Sequence, residues 1–271
     1  MNCNNVTKEY YRVEKLPHIW CPGCGHGTLT NTVVRAIDNL KLNKDEVVIV
    51  SGIGCSSRAP GYLDFNTLHT THGRALAFAT GIKFANPKLH VIVIMGDGDS
   101  SAIGGNHLIH AARRNIDITT IVFNNNIYGM TGGQYSPTTP YGDFATTAAY
   151  GNIDKPFDLC SLAQGAGATY VGRGTAYHAP LMQKLIEKGL QNKGFSFIEG
   201  LSVCPTYYGR KNKKGGAFKM FSFFKDNCAD IKIVEKNPEK GKNKILIGEF
   251  YNNSKPEYIE SYQVIIDKFQ G

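Results

Sequence analysis

LHVIVIMGDGDSSAIGGNHLIHAARRNIDITTIVFNNN, residues 89–126, carries the fold in miniature. Two short apolar runs, one ending at Met95 and one at Phe123, are rich in β-branched residues and stop at Gly, Asp or Asn. Runs of that length with such boundaries read as buried strands. Between them, GGNHLIHAARRN (104–115) has the length and patterning of a helix, so strand, helix and strand form a crossover unit whose strands lie parallel. The same alternation continues outward. EVVIVSGIG (46–54) reads as an earlier strand and HGRALAFATGIKFANP (72–87) as the helix that follows it. A helix in PFDLCSLAQGAG (156–167), a strand in ATYVGRG (168–174), a helix in HAPLMQKLIEKGLQ (178–191) and a strand in FSFIEGLSVC (195–204) come after. The fold class is α/β, a largely parallel sheet with helices on both faces. One domain spans 1–207. From 208 the pattern dissolves into Lys, Gly and Asn, so 208–271 reads as a C-terminal tail packing on the domain or on a partner subunit.

The turn after the first quoted strand, GDGDSS, sits where a nucleotide-binding fold offers backbone N–H groups to phosphate. A phosphate loop carries little negative charge. Asp97 and Asp99 would repel a diphosphate, so a diphosphate bound here calls for a divalent cation between it and the carboxylate, and magnesium suits that role. An Asp-Gly turn can also be only a turn. The three asparagines 124–126 strengthen the cation reading, because neighbouring parallel strands end on one edge of a sheet. Asp97 and Asn125 can therefore meet over one ion although 28 positions separate them.

HIWCPGCGHGTLTN (18–31) places Cys21 and Cys24 just before a helix carrying Leu29, Val33, Ile37 and Leu40. A zinc ribbon would need a second such pair about 15 to 20 residues on, and the chain has none. A redox pair is a second reading, since a helix N-terminus favours thiolate. Cys55 in GIGCSS and Cys204 in SVCPT both follow strands. Two close and two distant cysteines on loops make an all-thiolate site for a 4Fe-4S cluster, a third reading. Spacing alone leaves the three open.

The 271 residues are 42% hydrophobic, enough for a full core, and no apolar run approaches the roughly 20 residues of a membrane helix. The start, MNCNNVTKEYYRVEK, has no leader-like apolar core, which points to a soluble cytoplasmic protein. Seven cysteines in that compartment favour metal or redox chemistry over disulfides. Much of the net charge of +8 lies in RKNKKGG and EKNPEKGKNK, a solvated face or a surface for an acidic protein. A basic zinc module for nucleic acid would leave GDGD and NNN without a purpose.

Taken together, WCPGCGHG, GIGCSS, HTTHGRALAFATGIKFANP, GDGDSSAIGGNHLIHAARRNID, NNNIYGMTGGQYSPTTP and CPT resemble the β subunit of 2-oxoacid:ferredoxin oxidoreductases, in order from about residue 10 to 210. GEFYNNSKPEY (248–258) resembles it too. The resemblance implies a thiamine diphosphate-binding fold with thiamine diphosphate, Mg2+ and one 4Fe-4S cluster. Cys21, Cys24, Cys55 and Cys204 map onto the cluster cysteines, leaving Cys3, Cys160 and Cys228 as ordinary thiols. Asp97 and Asn125 map onto magnesium ligands and Ile127 onto a backbone carbonyl ligand. Ile53, Gly54, Cys55, Ser56, His72, Gly96, Gly98, Asp99, Gly129, Met130 and Thr131 fall on cofactor-binding positions.

The activity implied is coenzyme A-dependent oxidative decarboxylation of a 2-oxoacid, with electrons passing through the cluster to ferredoxin. The activating glutamate comes in this family from the α subunit, so this chain is active only with that partner. His72 maps onto a cofactor-proximal histidine that binds diphosphate or moves a proton. His69, His107 and His110 read as packing or capping residues. Arg58 and Arg74 are candidates for countering diphosphate or substrate carboxylate, or for plain surface ion pairs. Some broad-specificity members carry lysine at the position of Gly132, and the wording of the motifs is most like the 2-oxoglutarate group. The alternatives are a branched-chain 2-oxoacid such as 2-oxoisovalerate, pyruvate, or a non-redox thiamine diphosphate lyase or synthase. The basic stretch from Arg210, with Lys211, Lys213 and Lys214, is a candidate dock for ferredoxin.

Overall fold

Alternation along the strands decides the layers. In the strand His90–Gly96, Val91, Val93 and Met95 join one buried cluster and Ile92 and Ile94 the other. Side chains of a strand point to opposite faces, so a strand apolar on both needs helices above and below it. A computed structural model, which describes residues 3–270, has this arrangement. Its strands are β1 (Val47–Ser51), β2 (Asn66–His69), β3 (His90–Gly96), β4 (Thr119–Asn124), β5 (Tyr170–Thr175), β6 (Ser196–Leu201), β7 (Cys228–Asp230) and β8 (Ile245–Asn252). The helices are α1 (Cys3–Tyr10), α2 (His26–Asn39), α3 (Ala59–Tyr62), α4 (Ala75–Ala85), α5 (Gly105–Arg113), α6 (Leu159–Ala166), α7 (Ala179–Gln191), α8 (Ala217–Asn227), α9 (Ile231–Lys236) and α10 (Tyr258–Gln270).

The strands form one sheet in the order β2-β1-β3-β4-β6-β5-β8-β7, parallel from β2 through β5. On one face α2 and α7 bury Leu29, Val33, Ile37, Met182, Leu185 and Ile186 against Ile49, Ile92, Ile121 and Ile198. On the other, Leu76 and Ala79 of α4, Leu108 of α5 and Leu159 of α6 cover Val93, Val122 and Phe197. Each such Leu, Ile or Val is worth about 1.5–3 kcal/mol when fully buried. Local signals set the boundaries. At α6 the Asp158 carboxylate accepts the Ser161 N–H at 3.0 Å, and Gly167 closes the helix at φ +109°.

The segment from 208, expected as a tail, holds regular structure of its own. β8 pairs antiparallel with β5 and β7 extends the sheet beyond it. The apolar residues of β8 are split by Gly248, which sits at φ +121°, next to a register shift at Val171/Gly172. That break in a half-exposed strand hides it from pattern reading. From α10, Ile259 reaches the α4 side of the core.

The parallel strands β1, β3, β4 and β6 all end at one edge. The turns that follow them are 52–57, 97–99, 125–127 and 202–204, the stretches that the sequence marks for chemistry.

Candidate active site

At that edge a cavity opens over the ends of β1, β3 and β4. Ile53, Gly54, Cys55 and Ser56 line it from β1, Gly96, Asp97, Gly98 and Asp99 from β3, and Asn125, Ile127, Gly129, Met130 and Thr131 from β4, with His72 closing one side. The structure thus brings together the cofactor positions read from the sequence. It adds His26, Phe123 and Tyr128, which were not singled out.

Asp97 is buried, and burial pushes its carboxyl up while hydroxyls from Ser136 and Thr138 pull it down. Both hydroxyls donate to Oδ2, at 2.5 and 2.6 Å. Asn125 is buried beside it, and its Oδ1 accepts the Ile127 N–H at 3.3 Å across a turn in which Asn126 takes φ +61°. Gly98 makes room for Tyr128: a Cβ there would lie 2.2 Å from the ring, whose hydroxyl donates to the Gly98 carbonyl at 3.2 Å.

Asp99 has a bracing role. Its Oδ1 accepts the Gly73 N–H at 2.6 Å and the Ile53 N–H at 3.4 Å, with His72 Nδ1 3.5 Å away, so one carboxylate ties the β1 turn to the His72 loop. A Cβ on Gly52 would come within 2.1 Å of Asp99 Oδ2. Ser56 Oγ, His72 Nδ1 and Asp99 Oδ2 are buried without hydrogen-bond partners. Buried polar atoms normally find partners, and a hydroxyl and an imidazole at a strand edge beside a buried carboxylate suit a phosphate-bearing cofactor held through a cation.

Cys21, Cys24, Cys55 and Cys204 are free thiols drawn to one side of this cavity. A Cβ on Gly129 would lie 3.3 Å from Cys55 Sγ and 3.8 Å from Cys204 Sγ. Burial pushes the Cys24 thiol up, the His26 N–H pulls it down and the other three sulfurs push it up, to a value of about 12. Cys55 rises to about 11 through burial, then through Cys204, Cys21 and Asp97. The loops are cross-tied: Gly25 N–H donates to the Val203 carbonyl at 3.4 Å and Trp20 Nε1 to the Cys55 carbonyl at 2.7 Å. Among the described residues no three His, Cys, Asp or Glu side chains converge on a single ion. Cys21 is exposed, Cys24 and Cys55 are half-buried and Cys204 is buried, and four thiols brought together from three loops suit a multi-iron cluster.

The other expected residues sit apart. Cys160 is buried against Glu199 and the Gly172 carbonyl, Cys228 lies half-buried in β7, and the Cys3 side chain is outside the described residues. His69 Nδ1 is 2.9 Å from Ser51 Oγ, while His107 and His110 ride on α5. Arg58 is exposed, and Arg74 donates to the Ile103 carbonyl at 3.1 Å. His26 is buried with Nδ1 2.9 Å from Ser202 Oγ, and burial lowers it from 6.5 to about 4. No helix of the described residues is long and apolar enough to cross a membrane.

Comparison with known proteins decides the family. Residues 52–200 match the C-terminal thiamine pyrophosphate-binding domain of thiamine pyrophosphate enzymes. The chain is 53% identical over 264 residues to the 2-oxoglutarate synthase subunit KorB of Methanocaldococcus jannaschii, covering 97% of this chain and 98% of that one. It is 40% identical over 258 residues to the 2-oxoacid:ferredoxin oxidoreductase subunit beta of Saccharolobus solfataricus, covering 90% and 84%. This chain belongs to the β subunits of 2-oxoacid:ferredoxin oxidoreductases. Among solved structures, the 2-oxoglutarate:ferredoxin oxidoreductase from Magnetococcus marinus, with 2-oxoglutarate, coenzyme A and succinyl-CoA bound, superposes with a TM-score of 0.87 at 34% identity, covering 98% of this chain and 91% of that one. The fold is therefore the thiamine diphosphate-binding α/β fold, and the chain is an oxidoreductase subunit.

Proposed function

We propose that this β subunit, with a partner subunit, converts 2-oxoglutarate and coenzyme A to succinyl-CoA and CO2, and that two electrons leave one at a time through a 4Fe-4S cluster to ferredoxin. The observation that carries the reading is the meeting of two centres at one turn: Gly129 follows the Asn125–Ile127 turn and lies against the sulfurs of Cys55 and Cys204. Thiamine diphosphate, when bound, supplies the electron sink that lets a 2-oxoacid lose CO2. This chain's residues hold it. Asp97, Asn125 and the Ile127 carbonyl would hold the magnesium ion, Ser56, Ile53 and Gly98 line the cavity that would receive the diphosphate, and His72 would hold or move a proton at Nδ1. Met130 and Thr131 flank the substrate side, and the thiolates of Cys21, Cys24, Cys55 and Cys204 hold the cluster.

Gly132 supports a substrate preference set elsewhere, because its φ of +115° disfavours the lysine other members carry there. The distal carboxylate of 2-oxoglutarate then meets the partner subunit, which also brings the activating glutamate. Reduced thiols agree with a cytoplasmic location. Gly23, two residues from exposed Cys21, packs on Ala217, since a Cβ there would lie 2.2 Å from Ala217 Cβ, and Lys211 and Lys213 are exposed in the stretch before Ala217; an acidic ferredoxin fits a basic rim there.

The test is anaerobic viologen reduction, with coenzyme A, by the chain copurified with its partner subunit, across 2-oxoglutarate, 2-oxoisovalerate and pyruvate. The proposal expects a strong preference for 2-oxoglutarate. No reduction by any of the three, in a preparation with iron and thiamine verified, would overturn it.

A further inference from the structure

Immediately after the substrate-side loop, the stretch Ser136-Pro137-Thr138-Thr139 runs back beneath the ends of β3 and β4. Its three hydroxyl residues are at most 4% exposed. Each hydroxyl has a defined target. Ser136 Oγ and Thr138 Oγ1 donate to the same oxygen, Asp97 Oδ2, at 2.5 and 2.6 Å. Thr139 Oγ1 donates to the Asn126 carbonyl at 2.7 Å while accepting the Ser136 N–H at 2.8 Å. One tetrapeptide therefore grips both halves of the cation site, the carboxylate from β3 and the left-handed turn between Asn125 and Ile127.

The grip is backed from behind. Asn124 turns its Oδ1 toward the Asn126 N–H at 2.9 Å and Thr138 Oγ1 at 3.1 Å, and its Nδ2 donates to Glu199 Oε1 at 2.7 Å. Glu199 in turn accepts Arg173 Nε at 2.6 Å, and Arg173 NH2 reaches Asp158 at 2.7 Å. Glu199 has little freedom to turn, so the Asn124 amide is held in one orientation and the Thr138 hydroxyl has a fixed seat. The chain of contacts runs from the cavity floor through the sheet to a surface carboxylate.

We infer that Ser136, Thr138 and Thr139 are positioning residues that set the cation affinity of the site, a step that rests on the cofactor reading above. A carboxylate has two oxygens, and neither hydroxyl goes to Oδ1. Oδ1 is thereby the oxygen presented to the ion, with Oδ2 already held by two hydroxyls.

The experiment titrates Mn2+ into the complex copurified with its partner, at saturating thiamine diphosphate, reading free Mn2+ by electron paramagnetic resonance. Thr138→Val removes the donor with little change of shape, and its Mn2+ affinity falls about 10–100-fold. Thr138→Ser restores the donor and stays within about twofold of the parent, a rescue that a mere packing role would not give. Ser136→Ala gives a second measure should the valine variant fold poorly, with a loss of about tenfold. The visible absorbance of the cluster is unchanged throughout. Equal affinity in Thr138→Val and the parent, or an equal loss in Thr138→Ser, overturns the inference. A parent complex that binds no Mn2+ even with thiamine diphosphate overturns the cofactor reading, and this inference with it.

Discussion

Asp97 and Asn125 leave neighbouring strands of one sheet, whereas Cys21, Cys24, Cys55 and Cys204 come from three loops that no strand pair holds together. The carboxylate centre is fixed by the register of β3 on β4 and by hydroxyls already bonded to Oδ2. The thiol centre has a few cross-loop bonds, and burial pushes its Cys24 and Cys55 thiols up. One site is preorganised by its scaffold. The other has no strand register behind it, and the two share the wall at Gly129.

Asp97→Ala separates them most sharply. Loss of the Asp97 carboxylate lowers turnover by on the order of a thousandfold, while iron content, measured chemically, stays at the parent level. Iron lost along with turnover would break the idea of separately built centres. The converse is Cys204→Ser, where ferredoxin reduction falls by on the order of a hundredfold or more and most iron is lost. Thiamine diphosphate binding, followed by fluorescence quenching, persists there because the sheet edge needs no metal cluster to hold its shape.

Gly52→Ala probes the bracing carboxylate. The added Cβ meets Asp99 Oδ2, displaces it from the Gly73 N–H and costs about 1–3 kcal/mol of stability. Cofactor binding weakens while cluster absorbance is kept. An unchanged melting temperature would remove Asp99 from its role as the tie between the β1 turn and the His72 loop.

The smallest effect belongs to His26. Its folded value lies near 4 against 6.5 when unfolded, so the unfolded chain binds more protons and stability falls as pH drops below about 6.5. At pH 5.5 the loss is about 1.4 kcal/mol, and it continues until pH nears 4. His26→Gln, which keeps a polar contact for Ser202 but does not titrate, flattens that part of the melting-temperature profile. The same slope in both proteins would assign the acid limb to other groups.

The carboxylate centre was legible because its signals are local. Gly-Asp-Gly and Asn-Asn-Asn end strands whose apolar runs are unmistakable, and parallel strands bring their ends to one edge. The thiol centre was not legible from spacing alone, since three readings of CPGCG survive until the distant cysteines are matched to a family. His26 was missed although 26, 29, 33 and 37 share one face of α2, which places the imidazole with the buried leucine, valine and isoleucine. Tyr128 was missed because the space Gly98 leaves for its ring is a tertiary fact. Ser136 and Thr138 were not singled out, because nothing local says that their hydroxyls fold back onto Asp97. The segment from 208 was read as a tail because β7 has three residues and β8 is cut by Gly248.

The measurement that tests the central claim most directly is low-temperature electron paramagnetic resonance of the oxidised complex mixed anaerobically with 2-oxoglutarate, beside its Asp97→Ala variant. The account predicts that substrate elicits a reduced-cluster signal in the parent and none in the variant, while dithionite elicits the same signal in both. A substrate-driven signal in Asp97→Ala equal to that of the parent would contradict it, because electrons would then reach the cluster without the carboxylate centre.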